Sequence, residues 1–219
     1  MHLVLVPSPL LGPATWSPVV DRLRERGHDA THVPLVRRTV AGVLDAVVGA
    51  AGGDGPVVLV PHSNAGLYAP RLGELVHVSA TVYVDAALPT GSPDTALAPA
   101  GFLDFLRGLA DDDGLLPPWT AWWDDTDGLF PDDAARAAVA AEQPRLPLSY
   151  FTQRVPVPAG WANRPAAYLG FGDTYAEELA FARGRGWPVS TMPGGHLHAL
   201  HEPAAVADEV LRLARSLTA

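Results

Sequence analysis

Short apolar runs of four or five residues, each closed by proline, glycine or a polar turn and each followed by a helical pattern, constrain this chain more than any other feature. Leu3 to Val6 and Val57 to Val60 are the clearest. They are rich in β-branched residues, as strands buried on both faces of a parallel sheet are. Thr81 to Val84, Ala167 to Phe171 and Val189 to Met192 repeat the pattern, with a weaker run at Ala30 to Val33. Helical periodicity fills the intervals at Trp16 to Arg26, Val40 to Ala51, Asn64 to Val76, Ala176 to Arg185 and Ala204 to Leu217. The alternation predicts an α/β fold: a mostly parallel central sheet flanked by helices, with ligands gathering beyond the carboxyl ends of the strands.

From about Pro89 to Pro165 the alternation breaks. Pro, Trp and acidic residues mix there with short helical stretches, Phe102 to Ala110 and Asp132 to Glu142, which predicts an inserted helical cap over residues 89–165. The 219 residues fit one domain, 1–219, with no internal repeat. A hydrophobic fraction of 48% against 18% charged residues excludes a disordered or fibrous chain. The net charge of −9, with arginines scattered, offers no basic face to nucleic acid. Zero Cys excludes disulfides, thiolate nucleophiles and cysteine-ligated metals. No apolar run reaches membrane-spanning length, and Met1-His2 leads straight into a strand without a signal-peptide pattern. No membrane partner and a cytoplasmic location are therefore expected. Gly52-Gly53-Asp54-Gly55 lacks the Lys and Ser or Thr of a phosphate loop, so nucleotide binding is not supported.

Chemistry concentrates in Val57-Val58-Leu59-Val60-Pro61-His62-Ser63-Asn64-Ala65-Gly66-Leu67-Tyr68, a buried strand that must turn sharply into a helix at Ser63. A nucleophile elbow needs small residues two before and two after its nucleophile. Ala65 fits and Pro61 departs. At a helix N-terminus, backbone N–H groups and the helix dipole can stabilise an oxyanion, although a serine there can also serve merely as the helix cap. The second segment is Pro193-Gly194-Gly195-His196-Leu197-His198, between the last strand and the last helix.

With these two segments the chain resembles the α/β-hydrolase superfamily. There a strand-turn-helix serine comes first, an acid follows a later strand, and the histidine sits in a Gly-His loop before the final helix. The resemblance spans the chain outside the cap and takes in the opening Val4 to Trp16, similar to the family's oxyanion loop and following Trp. It implies a serine enzyme of acyl transfer, an esterase, thioesterase or acyltransferase. Ser63 would be the nucleophile, His196 the base and then acid, and Asp173 of Gly170-Phe171-Gly172-Asp173 the carboxylate orienting His196. Ser63 Oγ is then expected within hydrogen-bond reach of His196. Asp85 in Val82-Tyr83-Val84-Asp85-Ala86 also follows a strand and is the alternative acid.

The oxyanion donors implied are the backbone N–H groups of Asn64 and Leu10. Pro9 occupies the position whose N–H would normally join that of Asn64, and proline has none; Leu10 N–H or the Ser8 hydroxyl is the substitute. In the cap, Trp119, Trp122 and Trp123 stand beside the acidic run Asp124-Asp125-Thr126-Asp127. They either pack the cap onto the sheet or roof a pocket with Ser8 and Pro9, taking an aromatic or long apolar group. His196, His198 and His201 could suggest a metal, but Leu200 stands where the related metallohydrolase pattern has Asp, so no metal and no cofactor are expected. The substrate implied is a small-molecule or carrier-bound acyl compound, and the compact size and Pro9 favour natural-product chemistry over that of a broad esterase. Two other readings keep the scaffold: a lyase-type enzyme using the same triad for proton transfer, and a catalytically silent receptor. Oligomeric state is not encoded in any motif.

Overall fold

The computed structural model describes residues 1–34, 39–91, 93–126 and 128–218; Asp127 of the acidic run lies outside them. Six parallel strands form the central sheet: β1 (His2–Val6), β2 (Asp29–His32), β3 (Val57–Ser63), β4 (Val78–Ala86), β7 (Ala166–Phe171) and β8 (Val189–Met192). Their order across the sheet is β2-β1-β3-β4-β7-β8. All six correspond to the apolar runs read from the sequence. A separate antiparallel pair joins β5 (Asp94–Ala96) to β6 (Arg154–Pro156). Three residues per strand are too few to show a period of two, so the sequence does not announce this pair.

Alternate residues of each strand feed two cores. Val4, Val6, Val57 and Leu59 point to one side, against α2 (Val40–Ala51) and α3 (Ala69–Leu75). Leu3, Leu5, Val58, Val60, Val82 and Val84 point to the other, against α1 (Ser17–Glu25) and α9 (Pro203–Thr218). Burial on both faces explains why these strands are continuously apolar rather than alternating. The outer strands β7 and β8 are covered on one side by α7 (Ala176–Gly184), and a single turn, α8 (His198–His201), leads from β8 into α9.

Between β5 and β6 lie α4 (Ala100–Leu109), a 3₁₀ turn at Trp119–Trp122, α5 (Asp133–Glu142) and α6 (Leu148–Phe151). α5 is capped by the Asp132 carboxylate, which accepts the Ala135 N–H at 2.7 Å. Leu106, Leu116, Trp119, Trp122, Val139 and Tyr150 from this segment join the same core as Val4, Val6 and Leu59. The inserted segment thus shares the sheet's apolar interior. Between them, the Tyr68 and Tyr150 hydroxyls share a buried hydrogen bond of 2.6 Å.

Candidate active site

The strand β3 runs into a 3₁₀ turn at Asn64–Tyr68 before α3 begins. Pro70 lies at the start of α3, where its missing N–H costs nothing. At the junction Ser63 has φ 58° and ψ −136°, a backbone conformation costing about 1–3 kcal/mol for a residue with a Cβ. Its neighbours hold it there. Ala87 N–H donates to the Ser63 carbonyl at 3.0 Å, and Ser63 pairs with Ala86 across a register shift between β3 and β4. Gly66 makes the approach possible, since a Cβ on it would collide with the Ala87 carbonyl oxygen.

The end of β4 therefore lies against the elbow. Asp85, almost fully buried and with φ 41°, sits on this end. Its Oδ2 lies 2.6 Å from His196 Nδ1, and its Oδ1 accepts the Phe171 N–H at 3.0 Å. The Tyr168 hydroxyl steadies the same turn, donating to the Ala86 carbonyl at 2.7 Å and accepting its N–H at 2.9 Å. Since a carboxylate can only accept, His196 Nδ1 carries the proton, and Nε2 is the nitrogen left to exchange one.

The carboxylate facing His196 is thus Asp85 and not Asp173, which corrects the first-choice acid. Asp173 is exposed in the turn after β7, where its backbone carbonyl receives the Ala176 N–H at 3.3 Å. The physical reason is sheet order. β4 is the immediate neighbour of β3, whereas β7 lies one strand further out. What β7 supplies to the site is the Phe171 N–H that orients Asp85.

Ser63 and His196 open onto one cavity of about 680 Å³, which Leu10, Asn64, Phe102, Trp119, Trp123 and Tyr175 also line. Among the described residues the hydrogen-bond partner of Ser63 Oγ is the Tyr175 hydroxyl, at 3.3 Å; the expected bond to His196 is not formed. Such contacts are commonly loose before substrate arrives. Burial pushes the Tyr175 phenol up to about 12, so it stays protonated at neutral pH.

Of the residues proposed to contact substrate, Trp119 and Trp123 do line the cavity, and the Trp119 ring lies 5.9 Å from that of His196. Trp122 does not. Its indole N–H donates to the Pro117 carbonyl at 2.8 Å and its ring packs on Phe102 and Phe151, inside the core. Ser8 is fully buried with its hydroxyl accepting the Leu10 N–H at 3.3 Å, and neither Ser8 nor Pro9 lines the cavity, while Leu10 does. His198 packs against Phe171, and His201 Nε2 donates to the Leu129 carbonyl at 3.2 Å, so the histidines of that loop diverge. Among the described residues no group of three or more potential ligands converges on a metal-sized site.

Two residues at the site escape a reading of the sequence. Tyr175 follows the Gly-Asp turn that draws attention to Asp173 instead. His62 stacks on His196 with ring centroids 4.5 Å apart, and its Nε2 donates to the His196 carbonyl at 3.0 Å. Complete burial, together with the nearby His196, holds the His62 pKa well below its usual range. His62 is therefore a neutral side chain that fastens the histidine loop to the elbow strand. Its place one residue before Ser63 was the available signal.

Comparison with known proteins agrees with this architecture. No curated protein matches the chain in sequence. Among solved structures, an extracellular α/β-hydrolase from a Paenibacillus species, described as sharing structural and functional homology with tobacco salicylic acid binding protein 2, superposes with a TM-score of 0.77 at 17% identity. The match covers 97% of this chain and 98% of that one. A variant of tomato methylketone synthase I complexed with β-ketoheptanoate gives 0.74 at 16% identity, covering 99% and 97% of the two chains. A methylesterase from Arabidopsis gives 0.68 at 14%, covering 99% and 100%. At these identities the likeness is one of fold. No helix among the described residues is long and apolar enough to cross a membrane. The family model for the alpha/beta hydrolases matches residues 3–209, nearly the whole chain, and this protein belongs to that family.

Proposed function

We propose that the protein is a serine esterase that cleaves a small, non-anionic ester through an acyl-Ser63 intermediate. The observation that carries this reading is the Asp85–His196 pair at 2.6 Å opening onto the same cavity as a serine held at φ 58°. In the mechanism, Ser63 Oγ exchanges Tyr175 for His196 Nε2, gives up its proton there and attacks the ester carbonyl. Asp85 keeps the imidazole in the required tautomer and stabilises the imidazolium. The first N–H groups of a helical turn have no intrahelical partner, so Asn64 N–H is free to meet the oxyanion, whereas Leu10 N–H already donates to the Ser8 hydroxyl. His196 then protonates the leaving alcohol. Water, activated by the same imidazole, releases the acid.

Substrate class follows from the lining. Phe102, Trp119, Trp123, Leu10 and Leu129 make the walls largely apolar and aromatic; among the described lining residues Asp125 is the one carboxylate and there is no Arg, in a chain that contains no Lys. A carboxylate or phosphate on the substrate would find no counter-ion, whereas an aromatic or medium-chain apolar ester would be desolvated by these walls. The segment 89–165 supplies Phe102, Trp119, Trp123 and Leu129, and acts as the cap that excludes water.

The test is hydrolysis of p-nitrophenyl butyrate together with labelling by a fluorophosphonate. Wild type should turn over the ester and gain one adduct mass on Ser63, and Ser63→Ala should lose both. Hydrolysis by Ser63→Ala at the wild-type rate would overturn the reading. Pro9 motivates one second reading, a lyase-type reaction on the same residues, because a proton transfer without a tetrahedral intermediate does not need the amide that proline lacks. It predicts turnover without any trappable acyl adduct.

A further inference from the structure

We propose that Tyr175 is a further catalytic residue, whose phenol donates a hydrogen bond to the substrate oxygen that becomes negative as Ser63 attacks, as the second donor beside Asn64 N–H. The inference rests on the esterase reading above and deepens it.

Three observations converge. Tyr175 OH stands 3.3 Å from Ser63 Oγ, the atom to which the new bond forms. The carbonyl oxygen of an attacked ester is separated from Oγ by a single bond angle, so a hydroxyl that reaches Oγ at rest can reach that oxygen in the tetrahedral intermediate. Secondly, Asn64 and Tyr175 stand together on the walls of two spaces that share Phe102, the 680 Å³ cavity and a smaller one of about 210 Å³. Asn64 and Tyr175 thus border the same volume. Thirdly, burial keeps the phenol protonated at neutral pH, so it can donate but is not poised to remove a proton.

The step balances without any further reactant. When the Ser63 proton passes to His196 Nε2, the Oγ–C bond forms and the carbonyl π pair moves onto oxygen. Tyr175 releases Oγ and donates to that oxygen beside Asn64 N–H. Collapse restores the carbonyl, expels the alkoxide and returns the His196 proton to it, with Tyr175 never ionised.

The experiment compares wild type, Ser63→Ala and Tyr175→Phe on p-nitrophenyl butyrate. It adds inhibition by an alkyl trifluoromethyl ketone, which forms a tetrahedral oxyanion with the serine, and by the matching methyl ketone, which stays planar. Losing one donor to an oxyanion typically lowers turnover about 10²-fold. Tyr175→Phe should therefore lose about 10²-fold in kcat with little change in KM, and weaken the trifluoromethyl ketone without weakening the methyl ketone. A folded Tyr175→Phe with wild-type kcat and wild-type trifluoromethyl ketone affinity overturns the inference, and if Ser63→Ala is inactive in the same assay, the esterase reading survives it. Ser63→Ala hydrolysing at the wild-type rate removes the esterase reading first, and this inference with it.

Discussion

Asp85 Oδ2 lies 2.6 Å from His196 Nδ1 while Phe171 N–H holds the other carboxylate oxygen at 3.0 Å, so the carboxylate is held at both oxygens. Asp85→Asn keeps the shape but offers His196 Nδ1 an amide that can stabilise the wrong tautomer. Turnover should fall by about 10⁴-fold, the cost of such a swap in a serine triad, whereas Asp173→Asn, on an exposed turn, should stay within about twofold of wild type, as surface changes usually do. Steady-state kinetics of the two variants check this.

Stability should fall as the solution is acidified below neutrality, and His62 should account for part of the fall. Its folded pKa is lowered by burial, so the unfolded chain binds this proton first. The contribution is fully present above the unfolded value of about 6.5 and declines as pH drops from there through the folded value, by up to about 1.4 kcal/mol per pH unit. Urea titrations at pH 7.5 and 5.5 should show a smaller difference for His62→Phe than for wild type. An unchanged difference would mean that His62 is not held neutral.

Gly66→Ala should destabilise the protein by about 1–3 kcal/mol, the usual cost of overpacking, because its Cβ would meet the Ala87 carbonyl oxygen and the Ala86 side chain. Gly108→Ala is the opposite case. It lies in α4, and an added methyl there would have nothing within 4 Å of it, so the substitution should add about 0.5–1 kcal/mol through helix propensity. Chemical denaturation measures both.

The two tryptophans at either end of the 3₁₀ turn Trp119–Trp122 should respond differently. Trp119→Ala opens the cavity wall beside His196 and should raise KM for aromatic esters more than for acetate esters. Trp122→Ala removes a ring packed against Phe102 and Phe151 and should cost about 3–5 kcal/mol of stability, read as a lower melting temperature. A KM effect confined to Trp122→Ala would reverse the assignment.

The six parallel strands, the flanking helices and the position of Ser63 are all legible in the amino-acid order. Each is written locally, in apolar runs bounded by Pro and Gly, in helical periodicity, and in the small residues Ala65 and Gly66 that let a strand turn into a helix. The Gly194-Gly195-His196 loop is legible for the same reason. Which aspartate reaches His196, which tryptophans reach the cavity, and that Tyr175 touches Ser63 and His62 touches His196 became visible only in three dimensions. Asp85 and Asp173 both follow strands and look alike along the chain. They differ because β4 lies next to β3 and its bend at Asp85 turns the carboxylate across the strand ends, while β7 stands one place outward. Trp119 and Trp122, three residues apart and both buried, meet different neighbours: Trp119 packs against His196, while Trp122 is tied to Pro117 and packs on Phe102 and Phe151. Contacts between residues more than a hundred positions apart, such as Ser63 with Tyr175, are settled by how the sheet and the inserted segment close around a common core, and no local pattern encodes them.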